Sequence, residues 1–172
     1  MSAETFTTAM FLITAVIAAG VLINAVFPVV YQMAGTFSSA THESDTRLRT
    51  DMKIVAEFAN TDGIAQIWIK NVGSARIAET DLTRSDVFFG PAGNFFRLDN
   101  TITDSPIANN NWYGNLIDSN NNKFWDPGET YEININYKAP HPSFAAGDVA
   151  YFQFVLPDGI WRSIEFTVNQ AS

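Results

Sequence analysis

Residues 5–41 read TFTTAMFLITAVIAAGVLINAVFPVVYQMAGTFSSAT, and no charged side chain occurs in this stretch between Glu4 and Glu43. An apolar run of 18 or more residues is long enough to cross a bilayer, whereas the helices of soluble cores carry a polar stripe that this run lacks. As an α-helix, Phe6 to Val30 rises about 37 Å, more than a hydrocarbon core of about 30 Å. Such a helix must be covered, either by lipid or by copies of itself.

The flanks decide little about orientation. Arg47 and Arg49 lie well beyond Tyr31 and are offset by Glu43 and Asp45, so the positive-inside rule gives no clear topology. MSAET has no basic residue ahead of the apolar run, unlike a secretory leader, and no cleavage site is evident after it, so the helix is expected to be retained. Glu4 sits in the first turn, where a carboxylate complements the positive end of the helix dipole; pairing with a neighbouring subunit's amino terminus is the sharper alternative.

Within the run, Thr14, Ala15, Ala18, Ala19 and Gly20 include small residues four apart, a spacing that lets helix backbones approach closely. Asn24 is the one amide in the apolar centre, and Pro28 has no N–H to donate to its carbonyl. These positions are candidates for helix association, with Asn24 setting register or merely sitting at a tolerated kink. From Gln32 to Thr50 the sequence turns polar without a proline and reads as a helical stalk. Residues 1–50 thus form a membrane anchor or filament core, and residues 51–172 a second domain.

From Met52 the period changes. MKIVAEFA and IAQIWIKNVG flank Asn60-Thr61-Asp62-Gly63 and read as a hairpin. Strands are expected again around Val87–Phe89, Phe95–Leu98, Thr130–Lys138, Gly147–Leu156 and Ile160–Val168, the last two joined by Pro157-Asp158-Gly159. Tyr131, Ile133, Ile135 and Tyr137 alternate with polar residues, placing one face on a core. Strands without helices between them argue for an antiparallel sandwich, so the fold class is α+β: a long hydrophobic helix followed by an immunoglobulin-like β-sandwich. Thr101 to Asn122, rich in Asn, Asp and Ser, reads as a long surface loop.

The net charge of −8 would repel a phosphate backbone, so nucleic acid is not an expected partner. The absence of cysteine removes disulfides, thiolate catalysis and Cys-based metal sites. His42 and His141 have no evident base or metal partner and read as solvated, and no nucleophile elbow or phosphate loop is present. No enzymatic activity, required cofactor or small-molecule substrate is expected. Asn-x-Ser/Thr sequons are also absent.

One constellation carries chemistry. In DSNNNKFWDPGE, Asp118, Asn120, Asn122, Asp126 and Glu129 occupy positions 1, 3, 5, 9 and 12, with the Phe124 carbonyl at position 7. This is the ligand spacing of an EF-hand calcium loop. Lys123 stands at position 6, where such loops place glycine, and would have to adopt a left-handed conformation. A weak structural calcium site and an ordinary Asn-rich surface loop both remain open.

SAETFTTAMFLITAVIAAGVLINAVFPVVY, TDMKIVAEFA, IWIKNVGSARI and SDVFFG together resemble the archaeal flagellar protein G family, FlaG, of the archaellum. The likeness covers about the first 90 residues well and the later strands more loosely. It implies a non-enzymatic motor protein on the archaeal cell surface, with its helix in the membrane or in a filament and its sandwich outside. It also implies a static role with the related protein FlaF, which links to the S-layer. Trp68 and Lys70 would be strand residues, and Asn71 to Gly73 a turn. The alternative is an archaellin or other type IV pilin-like filament subunit, against which stand the missing basic leader and sequons. A membrane-anchored, calcium-stabilised adhesion module is a third reading.

Overall fold

The computed structural model describes residues 3–101 and 108–171; within the first helix the side chains of 38–40, 42, 43 and 46 fall outside the described set. The chain divides into two units, Met1–Asp45 and Thr46–Ser172.

The first unit is the bulk of α1, Ala3–Arg49, a single helix of 47 residues. Glu4 lies in its first turn and Arg47 and Arg49 in its last, each opposite in sign to the helix dipole there. The helix continues through Pro28, so the cost of the missing N–H is local.

The second unit carries β1 (Met52–Ala59), β2 (Ile64–Asn71), β3 (Ile77–Ala78), α2 (Glu79–Thr83), β4 (Asp86–Pro91), β5 (Phe96–Asn100), β6 (Asn111–Ile117), β7 (Phe124–Trp125), β8 (Thr130–Asn136), β9 (Val149–Val155) and β10 (Trp161–Thr167). The strands join in the order β1-β2-β8-β6-β5-β4-β9-β10, with β3 and β7 forming a separate small ladder. All pairings are antiparallel except a short parallel contact between β5 and β6, where Asp99 and Asn100 oppose Asn111 and Trp112. That contact joins the two halves of the strand order, β1-β2-β8-β6 and β5-β4-β9-β10. The β domain is therefore one eight-stranded, largely antiparallel sheet whose two halves share a core.

Strand alternation builds that core. Ala65, Ile67 and Ile69 of β2 and Tyr131, Ile133 and Ile135 of β8 face inward from one half, with Tyr137 just beyond; Val87 and Phe89 of β4 and Ala150, Phe152 and Phe154 of β9 face inward from the other. Rings meet across the fold: Phe89 lies 5.4 Å from Tyr137, and Tyr131 lies 6.0 Å from Phe154. At the open side, β1 and β10 are fastened by a bridge between Asn60 and Asn169 and by an Asp51–Arg162 ion pair.

Two expectations are corrected. The segment Thr101–Asn122 is not one loop: Asn111–Ile117 is the interior strand β6, paired with β8 over its whole length. Trp112 supplies the buried anchor, and a Cβ on Gly114 would overlap the Tyr131 phenol, so the strand needs glycine where that ring packs. His141 is not freely solvated. It is half-buried, with its ring 4.2 Å from Phe96 and stacked 5.2 Å from Tyr137. The side chain of His42 lies outside the described residues.

Candidate functional site

Within the apolar span Ala3–Phe37 the most apolar 18 residues have a mean hydropathy of 2.4, and the span is exposed throughout within the chain. Its hydroxyls are folded away. Thr7 donates to the Ala3 carbonyl at 2.9 Å, Thr8 to Glu4 at 2.8 Å, Thr14 to Met10 at 2.8 Å, and Thr36 to Gln32 at 2.9 Å. With these groups satisfied by the preceding turn, the helix presents a nearly continuous apolar cylinder.

The helical repeat of about 100° per residue sorts the candidate association residues into separate stripes. Gly20, Asn24 and Pro28 follow one another at four-residue steps, Thr14 and Ala18 form a second pair, and Ala15 and Ala19 a third. Glu4 lies near the last of these. A single dimer seam would need one stripe, whereas small residues spread around the helix suit several neighbours at once. Around Gly20 a Cβ would meet nothing, so no contact within the chain accounts for glycine there. The Asn24 side-chain amide makes no hydrogen bond among the described residues.

At the end of α1 a second arrangement appears, built by the turn after β2. Ser74 and Ala75 N–H groups donate to the Arg49 carbonyl at 2.8 and 3.1 Å, and Val72 and Gly73 N–H groups to the Asp51 carbonyl at 3.0 and 2.9 Å. The first two bonds satisfy the Arg49 carbonyl, one of those that a helix end leaves without partners, and the other two hold the chain just beyond it. Asn71, fully buried, holds the turn: its Nδ2 donates to the Ala75 and Trp125 carbonyls, each at 2.9 Å, and its Oδ1 accepts from Gly73 N–H at 3.0 Å. Its backbone is tied to Glu129 and Gly128 as well. The resemblance implies a turn over Asn71–Gly73; Asn71 is instead the last residue of β2 and the bend runs from Gly73 to Ala75, and sequence reasoning missed that this bend clamps the last helical turn. The available signal was a glycine two residues past a strand-ending asparagine.

The Asp118–Glu129 loop lies on the other side of that clamp. Lys123 does adopt the left-handed conformation, with φ 63°, as does Asn121 with φ 54°. Each ligand-spaced side chain accepts at least one bond from the loop itself, while Asp126 Oδ1 is buried and accepts no hydrogen bond among the described residues. Asp118 Oδ1 and Oδ2 accept from Asn120 and Lys123 N–H at 3.0 and 2.9 Å, and Asp126 Oδ2 accepts from the Asn120 and Asn122 amides at 3.0 and 2.7 Å. Glu129 accepts from the Ser119 hydroxyl at 2.7 Å and from Asp126 N–H at 3.0 Å, while Asn122 Oδ1 accepts from Phe124 N–H at 2.8 Å. Arg76 sits 3.4 Å from Asp126 Oδ1 with its guanidinium over the Phe124 ring. Among the described residues no group of three or more acidic or imidazole side chains converges as a metal site.

The donors set the protonation of the loop. For Asp118, desolvation pushes the carboxyl up, but bonds from Lys123, Asn120 and neighbouring N–H groups outweigh it and hold it below its ordinary value. The Asn120 and Asn122 amides, and then Arg76, hold Asp126 down. The Ser119 hydroxyl does the same for Glu129. The loop is thus a closed, anionic hydrogen-bonded unit pinned to Asn71.

The archaeal-type flagellin family model matches residues 7–166, both the apolar helix and nearly all of the strand-rich unit. The chain belongs to the archaeal-type flagellin family. An uncharacterized protein of Archaeoglobus fulgidus is 26% identical over 141 residues, covering 78% of this chain and 81% of that protein. The archaeal flagellum of Methanospirillum hungatei superposes with a TM-score of 0.69 at 11% identity, over 97% of this chain and 94% of its own. The archaellum periplasmic stator complex of FlaF and FlaG from Sulfolobus acidocaldarius superposes with a TM-score of 0.52 at 22% identity, over 67% of this chain and 87% of its own. The expected plan of a long helix followed by an antiparallel β domain is therefore the plan of archaellum proteins, whose family is structural rather than enzymatic.

Proposed function

We propose that this chain is a structural, self-assembling component of the archaellum, with α1 packed against copies of itself and the β domain displayed outside the envelope. The observation that carries this reading is the length of bare apolar helix. At about 1.5 Å per residue a span of 35 residues extends about 52 Å, against a hydrocarbon core of about 30 Å. Lipid covers little more than half of it at one time, whereas a bundle of like helices covers all of it. The membrane then serves as the holding place before assembly, and the helix bundle as the final one.

Two roles share this plan. In the stator role the β domain associates with a FlaF-type protein and through it with the S-layer, so that torque acts against a fixed envelope. The solved stator complex supports this version. In the filament role the chain is itself an archaellin-like subunit, a version favoured by the flagellum match extending over nearly the whole chain, helix included. Detergent removal from the full-length protein, alone and with a FlaF-type partner, separates them under the electron microscope. Filaments from the chain alone support the second role; assemblies that need the partner support the first. Monomers under both conditions contradict the proposal.

A further inference from the structure

Lys53 and Lys70 stand directly opposite each other on β1 and β2. Both side chains are exposed, and among the described residues neither makes an ion pair or a side-chain hydrogen bond. Like charges facing across a strand pair destabilise it, and this chain, with a net charge of −8, has only four lysines to place. A lysine on the edge strand β1 guards against edge-to-edge pairing, but that purpose does not extend to Lys70 on the interior strand β2. On the same outer face lies half-buried Trp68, opposite small Ala56 on β1 and Glu132 on β8, so one flank of the indole is left open. Among the described residues Glu132 makes no ion pair, with either lysine or elsewhere.

The outer face of the other half of the sheet has the converse chemistry. Glu165 of β10 is exposed, opposes Tyr151 of β9, and is not ion-paired. Tyr151 stacks on Phe95 at 4.4 Å, and Phe95 is 41% exposed. Ammonium groups beside an indole thus sit on one side of the folded sheet, and a carboxylate beside exposed rings on the other.

We infer that the Lys53–Trp68–Lys70 face of one copy docks on the Glu165–Tyr151–Phe95 face of a second copy. This rests on the self-assembly reading and names its outer surface. The lysine face cannot meet itself across a two-fold axis without opposing four ammonium groups, so the contact is heterologous. Contacts of that kind repeat head to tail, closing into a ring where the rotation allows and otherwise running on as a filament, which is the outcome the self-assembly reading requires. Ion pairing and cation–π contact with the exposed rings supply the attraction.

The test is sedimentation of polymer from the full-length protein after detergent removal, with the fold of each variant checked by near-ultraviolet circular dichroism. Lys53→Glu with Lys70→Glu is expected to raise the critical concentration about tenfold or more, because like charges then face Glu165. Glu165→Lys alone should do the same, and the triple swap should restore assembly. Lys138→Glu, which changes net charge beyond the far end of β8, eight residues from the Thr130 that opposes Lys70, should assemble as the unchanged protein does. Assembly of the double lysine variant at the original concentration overturns this surface while leaving self-assembly standing. Equal loss with Lys138→Glu and no rescue by the swap also overturns it. Failure of the unchanged protein to polymerise overturns the self-assembly reading and this surface together.

Discussion

The Asn71 side-chain amide donates to the Trp125 carbonyl at 2.9 Å, joining the end of β2 to the loop that precedes β8. The same nitrogen reaches Ala75, and the same side chain receives Gly73. One buried amide therefore closes both the turn that grips the last helical turn and the acidic loop beside it. Asn71→Ala leaves two carbonyls and one N–H without this partner, and the β domain should lose about 3 kcal/mol. Urea unfolding of the full chain in detergent, followed by tryptophan fluorescence, measures this directly, because Trp68, Trp112, Trp125 and Trp161 all lie in that domain. A loss below the scatter of repeated curves would contradict the role assigned to Asn71.

Gly73 has no room for a side chain. A Cβ there would sit 2.5 Å from the Asp51 amide nitrogen and still closer to the Arg49 carbonyl, both backbone atoms that cannot swing aside. Gly73→Ala should therefore destabilise by about 1–3 kcal/mol and raise amide exchange at Ser74 and Ala75, whose bonds to Arg49 must lengthen. Unchanged exchange at those two amides would show that the turn does not hold the helix end.

The chain's plan is legible in its residues because two strong periodicities meet near residue 50: an apolar helix without charge, then period-two alternation as in Tyr131, Ile133, Ile135 and Tyr137. β6 was hidden because Asn111, Gly114 and Asn115 look like loop residues. Their fitness for a strand comes from Tyr131 packing over Gly114 and from Trp112 in the core, contacts far apart in sequence. The clamp was hidden for a related reason. Asn-x-Gly after a strand signals a turn, but which carbonyls that turn satisfies depends on the chain arriving from Arg49. The spacing of the 118–129 loop was legible, including the left-handed Lys123, whereas the capture of its oxygens by its own N–H groups depends on side-chain rotamers that spacing does not specify.

Acidification should open that loop. Asp118, Asp126 and Glu129 are held below their ordinary values of 3.8, 3.8 and 4.5 in the folded state. Groups with lowered folded values contribute stability above their unfolded values and lose it as pH falls through the folded ones. The melting temperature should therefore fall as pH drops below about 4.5, and the fall should be shallower in Asp118→Asn with Glu129→Gln. Identical pH profiles for the two proteins would contradict the linkage.

Calcium gives a separate test of the same loop. Because each ligand-spaced side chain already accepts a bond from a loop donor, the melting temperature should be the same in millimolar calcium as in chelator. A rise of several degrees that is absent in Asp118→Ala and Glu129→Ala would show instead that calcium displaces those bonds, as the EF-hand spacing allows.

The central claim is that the bare helix is completed by copies of itself. The most direct measurement is negative-stain microscopy of the full-length protein after detergent removal, beside a chain beginning at Thr46, where the second unit starts. Ordered polymer from the full-length protein and dispersed particles from the shorter chain are the predicted result. A full-length protein that stays monomeric, or a shorter chain that polymerises equally well, would contradict it.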